Sequence, residues 1–208
     1  MTDDIIYRIR KLFNNQNFHI PENELYNYVL YELEKLLNLN SSSLKNFNLP
    51  LPSGSLIDDL NNKLLREELN YHVNKLKEQN SNLVQNLNNE QKYIYEKVLN
   101  CITSKNQHLF FIYGHGGTGK TYLWNAIITK LRSNNEIVLA VASSGIASLL
   151  LPKGRSAHSR FRIQLSVDKF STCYIKKQTQ LAKLIEKTSL ILWDEAPMNN
   201  KFCFEALD

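Results

Sequence analysis

The segment Gly114-His115-Gly116-Gly117-Thr118-Gly119-Lys120-Thr121 has the spacing G-x-x-x-x-G-K-[ST]. It constrains the fold more than any other stretch of the chain. Glycine reaches backbone angles closed to other residues, so such a loop can curl its N–H groups around phosphate oxygens. A helix beginning near Gly119 turns its positive end toward the same oxygens. Lys120 adds a point charge for the β- and γ-phosphates, and Thr121 adds a hydroxyl for Mg2+. His115 occupies a variable position of the loop and reads as tolerated there, not as a general base. The arrangement needs a strand before the loop and a helix after it. The apolar run His108–Tyr113 predicts the strand and Lys120–Arg132 the helix, which weighs against a chance match in a glycine-rich turn.

Downstream, strands and helices alternate. Ile137–Ala142 predicts a second buried strand and Gly145–Leu151 a short helix stopped by Pro152. Leu181–Lys187 predicts a helix and Ser189–Asp194 a third strand. That order implies a parallel sheet covered on both faces. Its last strand runs Leu190-Ile-Leu-Trp-Asp194-Glu195-Ala196 and resembles a Walker B element. Ligands of parallel sheets sit at the carboxyl ends of the strands, where Asp194 and the glycine loop would meet. Asp194 would hold Mg2+ directly or through water, and Glu195 would orient and deprotonate an attacking water. An ordinary acidic turn is the bland alternative, weakened by the strand before it and the loop upstream.

Three further segments carry two readings each. Gln91 could read adenine with its amide, but Asn88 three residues earlier makes a capping box, and spacing alone favours the cap. Ser143, Ser144 and Gly145 follow the second strand, where they could bind a nucleic-acid phosphate or cap the next helix; both can hold together. Gly154-Arg155-Ser156-Ala157-His158-Ser159-Arg160-Phe161-Arg162 could track a single strand, with Phe161 or His158 against a base. It could equally be an exposed loop with Phe161 tucked into the core. Charge supports a polyanion on this side: residues 1–80 carry 9 basic and 11 acidic side chains, residues 81–208 carry 16 and 9.

The first 85 residues differ in kind. Leu25, Val29, Leu33 and Leu36 form one helical row, and Leu65, Leu69, Val73 and Leu76 a second. Asn38–Ser55, with its serines, prolines and glycine, is loop chemistry between them. The polar run 78–89 reads as a linker, which places the boundary between a helical N-terminal extension, 1–85, and the main domain, 86–208. Apolar runs fall far short of the ~20 residues of a membrane span. The three cysteines are widely spaced and odd in number, against a disulfide framework or zinc ribbon. The acidic start Met1-Thr2-Asp3-Asp4 carries no secretory pattern.

Taken in order, Leu87–Gln91, GHGGTGKT, VASSGIAS, GRSAHSRF and LILWDEAPM resemble the petite-integration-frequency DNA helicases, in particular their transposon-associated Helitron-type branch. Leu49-Pro-Leu-Pro52 and Leu64–Tyr71 extend the likeness upstream. Two departures are modest: the Ser143-Ser144 pair, and Trp193 where a smaller aliphatic residue is frequent. The resemblance implies an α/β fold, a partial RecA-like ATPase lobe preceded by the helical extension. It implies an ATP-dependent helicase moving 5′ to 3′ on single-stranded DNA, in repair, recombination and telomere maintenance. Its location would be the nucleus, with the mitochondrion as the alternative, and no membrane partner is expected.

Residue by residue, the resemblance puts Gln91, Gly114, Gly116, Gly117, Thr118, Gly119, Lys120 and Thr121 on the nucleotide. Thr121 and Asp194 would hold Mg2+, and Lys120 and Glu195 are the candidate catalytic residues. Ser143, Ser144, Gly145, His158 and Ser159 would lie along DNA. The family's second lobe and its arginine finger have no match in these 208 residues. The expectation is therefore a fragment that unwinds nothing alone, the competing reading being a non-enzymatic ATP- or DNA-binding transposon remnant. Another kind of phosphate-loop enzyme, an AAA-type ATPase or small-molecule kinase, is disfavoured by VASSGIAS and GRSAHSRF.

Overall fold

Ile137–Ala142 (β1) is apolar throughout and buried at every position, as the centre of a sheet covered on both faces must be. In the computed structural model it pairs in parallel with Arg155–Ser156 (β2) on one side and Thr188–Asp194 (β3) on the other. The order is β2-β1-β3. The register aligns Ala142 with Ser156 and with Asp194. The carboxyl ends of all three strands therefore finish in one row, and the residues just beyond them, Ser143, Ala157 and Glu195, lie along one rim. The structure describes Ile6, Tyr7, Arg10 and residues 21–39, 42–52 and 62–207.

The chain divides into two compact units, Met1–Asn70 and Tyr71–Asp208. The first holds helices Glu22–Leu39 (α1) and Lys63–Leu69 (α2), with a 3-10 turn at Leu44–Phe47. Among the described side chains of α1, Tyr28 and Leu30 are buried, while Leu36 of the expected row is exposed. Glu34 ties the turn to α1: its carboxylate accepts from the Ser43 hydroxyl at 2.8 Å and the Leu44 N–H at 2.7 Å. Asn62, itself buried, caps α2 by accepting from the N–H groups of Leu64 and Leu65.

The second unit adds helices Val73–Gln85 (α3), Asn89–Thr103 (α4), Lys120–Ser133 (α5), Gly145–Ser148 (α6), Ala157–Phe161 (α7), Gln180–Glu186 (α8) and Lys201–Glu205 (α9). The row Leu65–Leu76, read from sequence as one helical segment, is broken at Asn70–His72, and the break coincides with the division between units. Its second half joins α3, which also takes in most of the polar run read as a linker. Asn80 supplies the reason. It is buried, and its amide donates to the Ala126 carbonyl at 2.8 Å and the Thr129 hydroxyl at 3.2 Å, while its oxygen accepts from the Tyr95 hydroxyl at 3.2 Å. One polar side chain thus joins α3, α4 and α5. The Tyr122 hydroxyl adds a 2.9 Å bond to the Leu83 carbonyl. The contact boundary accordingly falls at 70/71, upstream of the expected 85/86.

A second difference concerns His108–Tyr113. Among the described residues this run joins no β-ladder; the sheet has three strands. Its side chains nonetheless alternate. Phe110 and Ile112 pack against the core formed by α4, α5 and β1, while Leu109, Phe111 and Tyr113 are exposed. The period of a strand is present, but among the described residues it makes no ladder hydrogen bonds. No helix among the described residues is long and apolar enough to cross a membrane.

Candidate functional site

The glycine loop leads into α5 through Gly119, which caps the helix at φ 79°. Gly117 is also left-handed, at φ 81°. The left-handed backbone of Gly119 strains any side chain there, and a Cβ, 2.7 Å from the Gln91 amide nitrogen, would push that amide aside. The loop is held from within. The Thr118 hydroxyl donates to the His115 carbonyl at 2.9 Å, and the Lys120 ammonium donates to the carbonyls of Gly114 (2.5 Å) and His115 (2.8 Å). An ammonium has three N–H groups, so one remains for a further acceptor.

Of the two readings of Gln91, the cap is the one its hydrogen bonds describe. The capping box is complete: Gln91 N–H donates to Asn88 Oδ1 at 2.8 Å, and Gln91 Oε1 accepts from the Asn88 N–H at 3.1 Å. The same amide then donates from Nε2 to the Thr118 carbonyl at 3.2 Å. Gln91 is therefore a strut from the start of α4 onto the glycine loop. One amide N–H and one lone pair are left for a further partner.

At the end of β3, Asp194 is buried, and Trp124 of α5 donates its indole N–H to Asp194 Oδ1 at 3.1 Å. Trp124 lies three residues after Thr121 on the same helix, so the two share a face. The bond thus ties the Asp194 carboxylate to α5, the helix whose first turn carries Lys120 and Thr121. Sequence reasoning missed Trp124; its signal was an indole one helical turn beyond the Lys-Thr pair. The donor set suits Mg2+, a hard cation that takes one carboxylate and a hydroxyl and fills its remaining positions with water and phosphate oxygens. Among the described residues no group of three His, Cys, Asp or Glu gathers as an all-protein cage.

Glu195 follows in the left-handed region at φ 53°, with its side chain exposed. Its backbone is tied to the turn after β1. The Ser143 hydroxyl donates to the Glu195 carbonyl at 2.6 Å, and the Ser143 N–H to the Asp194 carbonyl at 3.2 Å. The Trp193 indole N–H donates to that same serine oxygen at 3.3 Å, and its ring lies 4.4 Å from the Phe204 ring. Ser143 thus belongs to the acidic pair as much as to its own turn.

The other residues assigned to DNA lie along the same rim. Ser144 caps α6 by accepting from the Ala147 N–H at 3.1 Å, the capping alternative open in the sequence. Gly145 and Ser159 are exposed, and His158 is half-buried with Nε2 3.9 Å from the buried Cys203 sulfur. Phe161 is fully buried, so it cannot stack on a base; the core alternative for this side chain holds. Arg160 is buried as well, leaving Arg155 and Arg162 as the exposed cations of the segment. Exposed apolar side chains, Ile146, Leu149 and Leu150, accompany the rim.

Burial raises the Tyr95 hydroxyl above its ordinary value, opposed by its bond to Asn80. It also raises the Cys173 thiol, with Cys203 adding to the shift.

Residues 86–208 match the family model described as PIF1-like helicase. A protein of Trypanosoma brucei brucei named ATP-dependent DNA helicase PIF4 is 33% identical over 102 residues, 47% of this chain. The match covers 12% of that protein's length.

Proposed function

This chain belongs to the PIF1-like helicases, and from that premise we propose that residues 86–208 bind Mg-ATP at Gly114–Thr121 and couple its hydrolysis to movement on single-stranded DNA. The observation that carries the reading is the Trp124–Asp194 bond, which sets the acidic end of β3 against the helix that follows the glycine loop. Lys120 would exchange its loop carbonyls for phosphate oxygens. Thr121 and Asp194 would hold Mg2+, which when bound neutralises charge on the phosphates. Glu195, exposed beside them, would orient the attacking water and accept its proton. Gln91 would meet adenine with its remaining amide N–H.

DNA would run along the rim beyond β1 and β2. Gly145 and Ser159 would meet it directly, and Ser144 and His158 in part. Ser143 is already committed to Glu195 and Trp193, so its role would be to connect the DNA rim to the acidic pair. Movement 5′ to 3′, service in repair, recombination and telomere maintenance, and action in the nucleus are proposals resting on the family resemblance.

The test is nucleotide binding and hydrolysis by residues 1–208, with and without single-stranded DNA, beside Lys120→Ala. Wild type should bind ATP in Mg2+ and the variant should not. DNA-stimulated turnover abolished in the variant supports the coupled reading. Binding without turnover narrows it to a nucleotide-binding lobe. ATP binding that survives Lys120→Ala refutes it.

A further inference from the structure

We infer that Trp124 is a positioning residue for the Mg2+ site, holding the Asp194 carboxylate in the orientation in which it meets the cation. The inference rests on the reading of Asp194 given above and adds a residue to it. Trp124 and Asp194 are each 8% exposed, and the indole N–H reaches Oδ1 at 3.1 Å. An aspartate carboxylate turns easily about its last torsion, with broad and roughly two-fold preferences. A fixed donor on one oxygen selects one orientation. The ring that carries the donor is itself fixed, because Trp124 is part of the core packed between α4, α5 and the sheet.

The chemistry of the donor matters. Indole donates one hydrogen bond and accepts none. It therefore occupies one lone-pair site of Oδ1 and leaves Oδ2, with the rest of Oδ1, for a cation or its water. It offers the cation no competing ligand. Partners that hydrogen-bond a metal-ligating carboxylate are worth about 10–100-fold in metal affinity. On that scale the indole sets how much Mg2+ the site requires while leaving the nucleotide's contacts with the glycine loop intact.

The experiment measures binding of a fluorescent, non-hydrolysable ATP analogue to the purified 208-residue chain by anisotropy, in EDTA and across a Mg2+ titration. Trp124→Phe keeps an aromatic ring and removes the N–H. It should raise the half-saturating Mg2+ about 10-fold or more and leave binding in EDTA at the wild-type level. Asp194→Asn should shift the same titration. If Asp194→Asn leaves it unchanged, the reading of Asp194 fails and Trp124 falls with it. If Asp194→Asn shifts it and Trp124→Phe does not, only the inference about Trp124 is overturned. Loss of binding in EDTA by Trp124→Phe overturns it too, since the residue would then act through the loop. Should Trp124→Phe fail to fold, Trp193→Phe makes Trp124 the single indole, the chain having two tryptophans. Mg2+ added to the analogue-bound protein should then change its emission, and Asp194→Asn should abolish the change. An emission that does not respond to Mg2+ overturns the inference.

Discussion

Asn80→Ala should destabilise the second unit by about 3 kcal/mol, mostly through a group that the substitution does not touch. The asparagine takes part in three buried hydrogen bonds, two donated and one accepted. The partners do not suffer equally. The Thr129 hydroxyl keeps its own bonds to the Asn125 and Ala126 carbonyls. The Tyr95 hydroxyl, on a side chain 7% exposed, loses the acceptor the structure gives it. Net hydrogen bonds are worth about 1 kcal/mol each, and an orphaned buried donor costs about 1–3 kcal/mol. Tyr95→Phe separates the two contributions. In the wild-type background it should cost about 1 kcal/mol for the lost bond. In the Asn80→Ala background it should recover about 1–2 kcal/mol, because the orphan is removed. Urea unfolding followed by tryptophan emission measures all four proteins, Trp124 lying on the helix that Asn80 holds. An Asn80→Ala cost below about 0.5 kcal/mol, or a Tyr95→Phe cost that is equal in both backgrounds, refutes the account.

Gly119→Ala combines a left-handed backbone with a Cβ placed 2.7 Å from the Gln91 amide nitrogen. It should cost about 1–3 kcal/mol from the backbone alone and weaken nucleotide binding by displacing Gln91 from the Thr118 carbonyl; wild-type urea stability and binding in the variant would refute this. In the first unit, the Leu44 N–H foremost and the Ser43 hydroxyl next hold Glu34 below its ordinary value of 4.5. The unfolded chain therefore takes up the proton first, so the stabilisation is present above that value and is lost as pH falls through the lower folded one. An acid titration of helical circular dichroism should show a step that Glu34→Gln removes, and identical profiles would refute it.

The composition of Gly114–Thr121, the apolar run of β1 and the Asp-Glu pair closing β3 were legible because each rests on local chemistry. A glycine loop can bend as the backbone demands, a strand buried on both faces must be apolar throughout, and a capping box is four residues long. For the same reason the turn after β1 and a serine cap on the helix that follows could be expected with no knowledge of their neighbours, while the structure chose Ser144 over Ser143. What the sequence could not show is which polar groups are buried together. Asn80 reads as linker because its side chain is polar, and only the approach of Ala126, Thr129 and Tyr95 makes it interior. Phe161 was open to either fate until packing placed it in the core. His108–Tyr113 carries the alternation of a strand, yet a ladder needs a neighbour that no local pattern supplies. The site divides the same way. Lys120, Thr121, Asp194 and Glu195 are readable as residue types at given spacings. The indole of Trp124 on Asp194 and the hydroxyl of Ser143 on Glu195 join residues 70 and 52 positions apart. Hydrogen bonds of that span are settled by how helix and sheet pack, and only the tertiary structure contains them.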